Sequence, residues 1–244
     1  YYMQIVIPMS GFGERFRKVG YKIPKPLIEV ESKPIIHHVI DMFPGEEKFI
    51  FICNEDHLND ESYNLRSIIL DYCPKGKILS IKPHKLGPVH AVMQASRIIN
   101  DNESVVVNYC DFTCYWDWNN FKTFAREKNY KGIIPAYKGF HPHSLGTTNY
   151  AYIQHESGLV SDIQEKQPFT KNRMEEFASN MEPRSNYATT PEDVQIMPRR
   201  VESVSNTVQR SNASCAAMRD VPTLLNGEEC ANDTARRLKY AEPW

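Results

Sequence analysis

The sequence predicts an α/β fold: a doubly wound, mainly parallel but mixed sheet with helices on both faces. Three observations predict it. Short, almost wholly apolar runs recur along the chain as strands. Segments with helical spacing alternate with them, and strands joined through helices pair in parallel. The first strand also runs straight into a glycine-containing, basic loop, at the place where an open α/β sheet binds its ligand.

Residues 3–8 (Met-Gln-Ile-Val-Ile-Pro) read as a buried strand. Residues 34–43 read as a helix opening with Pro34, which a first helical turn tolerates. Lys48 to Cys53 is a second strand and residues 60–71 a second helix. Lys77 to Lys82 is a third strand, and residues 88–99 a helix whose Val89, Val92 and Met93 belong to the core. Val105-Val106-Val107 is a fully apolar strand, and Phe121 to Lys128 a further helix. Ile133-Ile134, Tyr150 to Gln154 and Leu159 to Gln164 complete the strands, the last two joined by a turn at Ser157-Gly158.

Composition then changes. Residues 181–244 hold only Tyr187, Tyr240, Trp244 and Gly227 of the chain's aromatics and glycines, and no strand pattern longer than two or three residues. A short helix at 228–239 is the most that this polar stretch suggests. The expected organisation is a domain over 1–180 followed by a polar C-terminal segment over 181–244.

With 244 residues the chain can bury a substantial core. Its 41% hydrophobic content and mean hydropathy of −0.52 are ordinary for a soluble protein. No apolar run reaches membrane-spanning length, and the opening residues read as a strand rather than a leader. A net charge of −1 argues against binding nucleic acid through its phosphate backbone. Six scattered cysteines, with Cys53 and Cys110 in strand-like runs, suit buried thiols in a reducing cytoplasm.

The chemistry concentrates after the first strand. Met9-Ser10-Gly11-Phe12-Gly13-Glu14-Arg15-Phe16 is followed by Lys22-Ile23-Pro24-Lys25-Pro26-Leu27. Gly11 and Gly13 can take positive φ and let backbone N–H groups approach phosphate oxygens. Arg15, Arg17, Lys18, Lys22 and Lys25 stand against a single acid, Glu14. A P-loop is excluded, because its Gly-Lys-Ser/Thr ending is absent. A dinucleotide fingerprint needs a small residue where Phe16 stands and a helix beginning at once, whereas Gly20, Pro24 and Pro26 suggest an extended loop. A nucleoside triphosphate held by the glycines, Arg15 and Lys25 remains, with a merely solvated basic loop as the bland alternative.

These residues resemble the nucleotidyltransferases that make nucleotide-sugars from an NTP and a sugar phosphate. The family's opening pattern, Gly-x-Gly-x-Arg then Pro-Lys-Pro-Leu, matches Gly11, Gly13, Arg15 and Pro24-Lys25-Pro26-Leu27. Leu86-Gly87-Pro88-Val89-His90-Ala91 resembles the loop that contacts the base and opens a helix. Val107-Asn108-Tyr109-Cys110-Asp111 resembles the strand ending in the metal-binding aspartate, and Ile163-Gln164-Glu165-Lys166 the Glu-Lys pair that holds the second substrate. The variant Met9-Ser10-Gly11 is similar to members from capsule and surface-polysaccharide gene clusters. The resemblance implies the nucleotide-diphospho-sugar transferase architecture, shared with GT-A-type enzymes. It implies nucleotide contacts at Ser10, Gly11, Gly13, Gly87 and Pro88, catalysis by Arg15 and Lys25, acceptor binding by Glu165 and Lys166, and Mg²⁺ at Asp111. It further implies an enzyme acting on an NTP and a sugar phosphate; the thiols, the net charge and the apolar runs add the expectation of a cytoplasmic location with no nucleic-acid or membrane partner, and a homo-oligomer is compatible with this.

The roles make physical sense. Phosphoryl transfer needs spread negative charge to be neutralised and an in-line nucleophile to be positioned. Arg15 can fork across phosphate oxygens, while Lys25 is a compact point charge. Asp111, at a strand end, suits a Mg²⁺ shared with the triphosphate better than the alternative of a helix cap, which Asp also favours. Glu165-Lys166 can equally be a solvated pair. His141 and His143 have no partners to complete a metal shell and read as a turn lining the acceptor pocket. Trp116 and Trp118 read as packing residues, either over the acceptor side or within the core. The family's second metal-binding aspartate has no clear counterpart; Asp193 and Asp220 are the candidates. Two other functions compete. A glycosyltransferase would show Asp-x-Asp where Asp111-Phe112-Thr113 stands, and a nucleotide-binding module without turnover would account for the unusual C-terminal stretch.

Overall fold

Six consecutive buried residues make Gln4–Met9 (β1) an interior strand, because a strand covered on both faces leaves no place for polar alternation. The computed structural model describes residues 2–128, 130–138, 150–179 and 194–198. The chain divides into two compact units between Asn129 and Tyr130. In the first unit β1 is followed by α1 (Glu14–Lys18), β2 (Glu29–Val30), β3 (Lys33–Pro34), α2 (Ile35–Asp41) and β4 (Phe49–Asn54). Then come α3 (Glu55–Asn59), α4 (Leu65–Tyr72), β5 (Lys77–Ile81), α5 (Gly87–Gln94), β6 (Val105–Val107) and α6 (Trp118–Lys128).

The main sheet has the order β5-β4-β1-β6, and every pairing in it is parallel. Ile5 pairs with Phe49 and Val6 with Ile50, so alternate residues of neighbouring strands share a face. Val6, Ile50, Ile52 and Ile81 pack against Ala91 and Val92 of α5 and against Ala95. On the other face Phe49 stacks on Phe51 at 5.7 Å and meets Phe43 edge-on. Phe43 in turn touches Trp116 and Trp118, and Trp118 stacks on Phe121. Each such large apolar side chain, once fully buried, contributes about 1.5–3 kcal/mol. Both tryptophans therefore serve the core.

One carboxylate is sunk within this aromatic layer. Glu46 accepts hydrogen bonds from the Met3 backbone N–H at 2.9 Å, the Trp118 indole N–H at 3.1 Å and the Lys122 ammonium at 3.0 Å. Its side chain is wholly shielded from solvent.

Tight packing sets a first test. A Cβ on Gly76 would lie 2.7 Å from Phe51 Cε2 and 3.0 Å from the Cys73 carbonyl oxygen. Phe51 is fully buried and cannot swing aside. Gly76→Ala should therefore destabilise the protein by about 1–3 kcal/mol in denaturant unfolding; an unchanged midpoint would contradict this packing.

A second test concerns pH. Burial pushes the His57 pKa below its ordinary 6.5, with the nearby Arg17 charge acting in the same direction. The unfolded chain therefore takes up the proton first as the pH falls. Stability is fully present above about pH 7 and declines below about 6.5, where the unfolded imidazole protonates. Burial lowers the His37 pKa in the same sense. Urea unfolding at pH 7.5 and 5.5 should show this loss, and His57→Gln should reduce it; identical pH slopes in both proteins would refute the account.

Several elements differ from the sequence expectation for local reasons. Asn64 adopts φ 47°, breaking the expected helix 60–71 into a short 3₁₀ turn at Glu61–Tyr63 and α4, while α3 lies before its expected start. Pro34 stands before α2 as an extended residue paired in β3, not within the helix. The loop after Gly13 is not wholly extended, since α1 forms one turn there. α5 stops at Gln94, and Met93 lies on its exposed side, outside the core. β6 is an edge strand with Val105 and Val107 exposed, and Cys110 lies in the turn beyond it.

The second unit contains β7 (Gly132–Ala136), β8 (Ala151–Glu156), β9 (Leu159–Glu165), β10 (Phe177–Ser179) and β11 (Val194–Pro198), in the mixed order β10-β8-β9-β11-β7. β8 and β9 form a hairpin whose turn residues Ser157 and Gly158 both have positive φ, the geometry a tight two-residue connection requires. β11 lies beyond residue 180, where the composition suggests no strand of this length; it pairs in parallel with β7. The suggested helix at 228–239 lies outside the described residues.

Candidate active site

β1 delivers the chain to Ser10, which is buried, and the Asn54 side-chain amide donates to its carbonyl at 3.3 Å. Gly13 then adopts φ 62°, a conformation strained for a residue with a Cβ, and turns the chain into α1. Gly11 does not share this conformation among the positive-φ glycines. Its expected left-handed role therefore falls to Gly13, and a Cβ on Gly11 would meet nothing within 4 Å. α1 buries Phe16 and carries Arg15 on an exposed position. The Pro-Lys-Pro-Leu segment closes a 3₁₀ turn with Pro26 and Leu27 buried, which anchors the backbone of Lys25 between them and Pro24. A Cβ on Gly13 would sit 3.9 Å from that of Lys25, so the two segments lie against each other.

Asp111 arrives from the neighbouring strand. Beyond β6 the Asn108 N–H donates to the Val6 carbonyl at 3.1 Å, prolonging the sheet by one residue. The Asn108 side-chain amide donates to the carbonyls of Tyr109 and Phe112, at 2.8 and 3.0 Å, and so sets the turn that presents Asp111. There the Lys25 ammonium forms an ion pair with the Asp111 carboxylate, and it also lies 5.0 Å from the Phe16 ring centroid. The two side chains are 23% and 28% exposed, so the pair is partly shielded. Burial, with the Asp111 charge adding to it, pushes the Cys110 thiol up to about 12. That thiol stays neutral and unreactive. Loops from two adjacent parallel strands thus bring a lysine, a carboxylate and a left-handed glycine together at the carboxyl edge of the sheet.

α5 begins close by in the topology, packed against Val6 of β1 through Ala91 and Val92. Gly87 has φ 85° and Pro88 occupies the first turn, with no side chain capping the helix start. The N–H groups of that turn are the kind that receive anions. Lys85 reaches Glu14 at 2.9 Å and lies over the Phe12 ring, linking this loop to the glycine loop.

The sequence model of the nucleotidyl transferase family matches residues 5–190. The chain belongs to this family. Among its relatives is mannose-1-phosphate guanyltransferase 2 of Candida glabrata, 23% identical over 83% of this chain and 54% of that protein. A D-glycero-alpha-D-manno-heptose 1-phosphate guanylyltransferase of Aneurinibacillus thermoaerophilus is 26% identical over 43% of this chain and 45% of that protein. The chain spans about half the length of these curated relatives. The structure of a UTP-bound UGPase from Acinetobacter baumannii has the same fold, with a TM-score of 0.59 at 16% identity over 82% of this chain and 87% of that one.

In this member of the nucleotidyl transferase family, Glu165 and Lys166 belong to the second unit, at the end of β9. Lys166 holds φ 58°, its N–H donates to the Tyr150 carbonyl at 2.9 Å, and its ammonium donates to Glu165 at 2.6 Å. A buried carboxylate, Glu176, accepts from the N–H groups of Phe169 and Thr170 and from the Thr170 hydroxyl, fixing the loop just beyond. His141, His143, Asp193 and Asp220 lie outside the described residues. Asn54, Asn108 and Glu176, which hold these segments in shape, escaped the reading of the sequence. Asn54 alone left a signal there, standing as a helix cap before Glu55-Asp56.

Proposed function

We propose that the chain is the nucleotidyltransferase part of a pyrophosphorylase that joins an NTP to a sugar phosphate, or a related alcohol phosphate, and releases pyrophosphate. The observation that carries this reading is the meeting of Lys25 and Asp111 beside Gly13. A cation suited to phosphate and a carboxylate suited to a divalent ion share one sheet edge, next to backbone shaped for close approach. Family membership adds weight, as does the absence of a second acid at Asp111-Phe112-Thr113, which a nucleotide-sugar-consuming glycosyltransferase would carry.

In the proposed reaction an oxygen of the acceptor phosphate attacks the α-phosphorus of the NTP. The new P–O bond forms as the bond from the α-phosphorus to the bridging oxygen breaks, and pyrophosphate leaves with that electron pair. Lys25 neutralises charge on the α-phosphate and the incoming phosphate together, and Arg15 grips the triphosphate. Ser10, Gly11 and Gly13 present backbone to the phosphates, while Gly87 and Pro88 open the helix against the base. Glu165 accepts hydrogen bonds from acceptor hydroxyls, and Lys166 binds the acceptor phosphate. Among the described residues no three His, Cys, Asp or Glu side chains converge. A donor set of Asp111 alone fits Mg²⁺, which is commonly held by one or two carboxylates together with substrate phosphates. Bound there, Mg²⁺ would supply charge neutralisation for the leaving pyrophosphate.

Pyrophosphate release, measured with each of four NTPs against mannose, glucose and heptose 1-phosphates, tests the reading. Release with at least one pairing supports it. None with any pairing, from a folded and complete protein, leaves a binding module instead. The capsule or surface-polysaccharide setting and the cytoplasmic location belong to the same proposal. They rest on the Met9-Ser10-Gly11 variant and on the buried thiols of Cys53, Cys73 and Cys110.

A further inference from the structure

We infer that Lys25 and Asp111 act as an exchange couple: each occupies the other's ligand position until phosphate and divalent cation arrive together. This inference rests on the proposed nucleotidyltransferase reading and adds to it a rule for the order in which charges enter the site. The Lys25 ammonium meets both the Asp111 carboxylate and the face of the buried Phe16 ring. Asp111 is held in place by the Asn108-braced turn, and Lys25 by its 3₁₀ turn. The backbone on both sides is therefore fixed, and only the side chains can change partners.

Two consequences follow from charge alone. A bare divalent cation approaching Asp111 meets a carboxylate already neutralised and an ammonium that repels it. A metal-free polyphosphate approaching Lys25 meets an ammonium already neutralised and a carboxylate that repels it. When both ligands arrive, the ammonium passes to phosphate and the carboxylate to the cation, so no charge is left unpaired. Phe16 keeps the ammonium in place while its anionic partner changes, since attraction to a ring face does not depend on which anion lies opposite. Each ligand thus raises the affinity for the other, and by linkage the effect is mutual.

The test reads binding rather than turnover and uses the whole chain. Mn²⁺ affinity is followed by the electron paramagnetic resonance of the free ion, and inorganic tripolyphosphate affinity by calorimetry in EDTA. Lys25→Met should tighten bare Mn²⁺ binding by roughly three- to fivefold, the range expected from removing one partly exposed ion-pair partner. Asp111→Asn should tighten metal-free tripolyphosphate by a similar factor. Lys22→Met, a loop lysine outside the pair, should leave Mn²⁺ affinity within about a factor of two. Both replacements are close in shape and sit at partly exposed positions, and near-ultraviolet circular dichroism checks their folding.

Unchanged or weaker affinities in both variants, with wild type binding both probes, overturn the exchange couple and leave the nucleotidyltransferase reading standing. An equal gain from Lys22→Met also overturns it, because general loop charge would then account for the effect. A wild-type chain that binds neither probe, alone or together, overturns the functional reading and the couple with it.

Discussion

Lys25→Ala should lower kcat for pyrophosphate release by about 10²–10³ while leaving the melting temperature within a few degrees of wild type. The loss follows from removing a fixed cation from the place where charge develops in the transition state. The small thermal effect follows from the pair's surroundings. Its two side chains retain about a quarter of their exposure, and ion pairs of that kind stabilise a fold by about 0.2–1 kcal/mol. Steady-state assays and a thermal melt on the same preparation separate the two effects. Unchanged kcat would remove Lys25 from the proposed chemistry, and collapse of the fold would show that its main service is structural.

Glu46→Ala should act in the opposite way, with a large effect on stability and little on chemistry once the protein is folded. Truncation strands the Met3 N–H and the Trp118 indole N–H without acceptors and leaves Lys122, itself mostly buried, without its counter-ion. Breaking a buried, hydrogen-bonded charge pair costs about 3–5 kcal/mol. For a protein of this size that corresponds to a fall of about 10 °C in melting temperature. Glu46→Gln, which keeps an acceptor but no charge, should fall between the two. A melting temperature within two or three degrees of wild type for Glu46→Ala would show that water replaces the carboxylate and that the site is not sealed.

The strands β1, β4 and β6 were legible in the sequence because fully apolar runs such as Ile5-Val6-Ile7 have few other places to go. Their burial was legible only in part. Val105 and Val107 look the same in sequence as Val6, yet lie on an edge, since only the pairing order distinguishes an edge from a centre. Helix interruptions were hidden where a polar residue took a left-handed conformation, as at Asn64, because asparagine is compatible with either outcome. At the site, the glycines and the Pro-Lys-Pro turn announced themselves through backbone demands that few residues meet. The Lys25–Asp111 contact did not. It joins segments far apart in the chain, and no local spacing encodes it. Glu46 was hidden for a similar reason: after Pro44-Gly45 an acid reads as part of a wet turn, and only the arrival of Trp118 and Lys122 makes it an interior group.

The central position of β1 has a consequence for biosynthesis. Its partners on both sides, Phe49 for Ile5 and Val105 for Gln4, emerge from the ribosome long after it does. The hexapeptide Gln-Ile-Val-Ile-Pro-Met can pair with β4 once that strand is made, but its other edge stays open until β6, about a hundred residues further along the chain, has been translated. Folding of this unit is then governed by closure of distant loops rather than by helix formation, and the nascent chain is a natural client for chaperones that mask extended apolar segments.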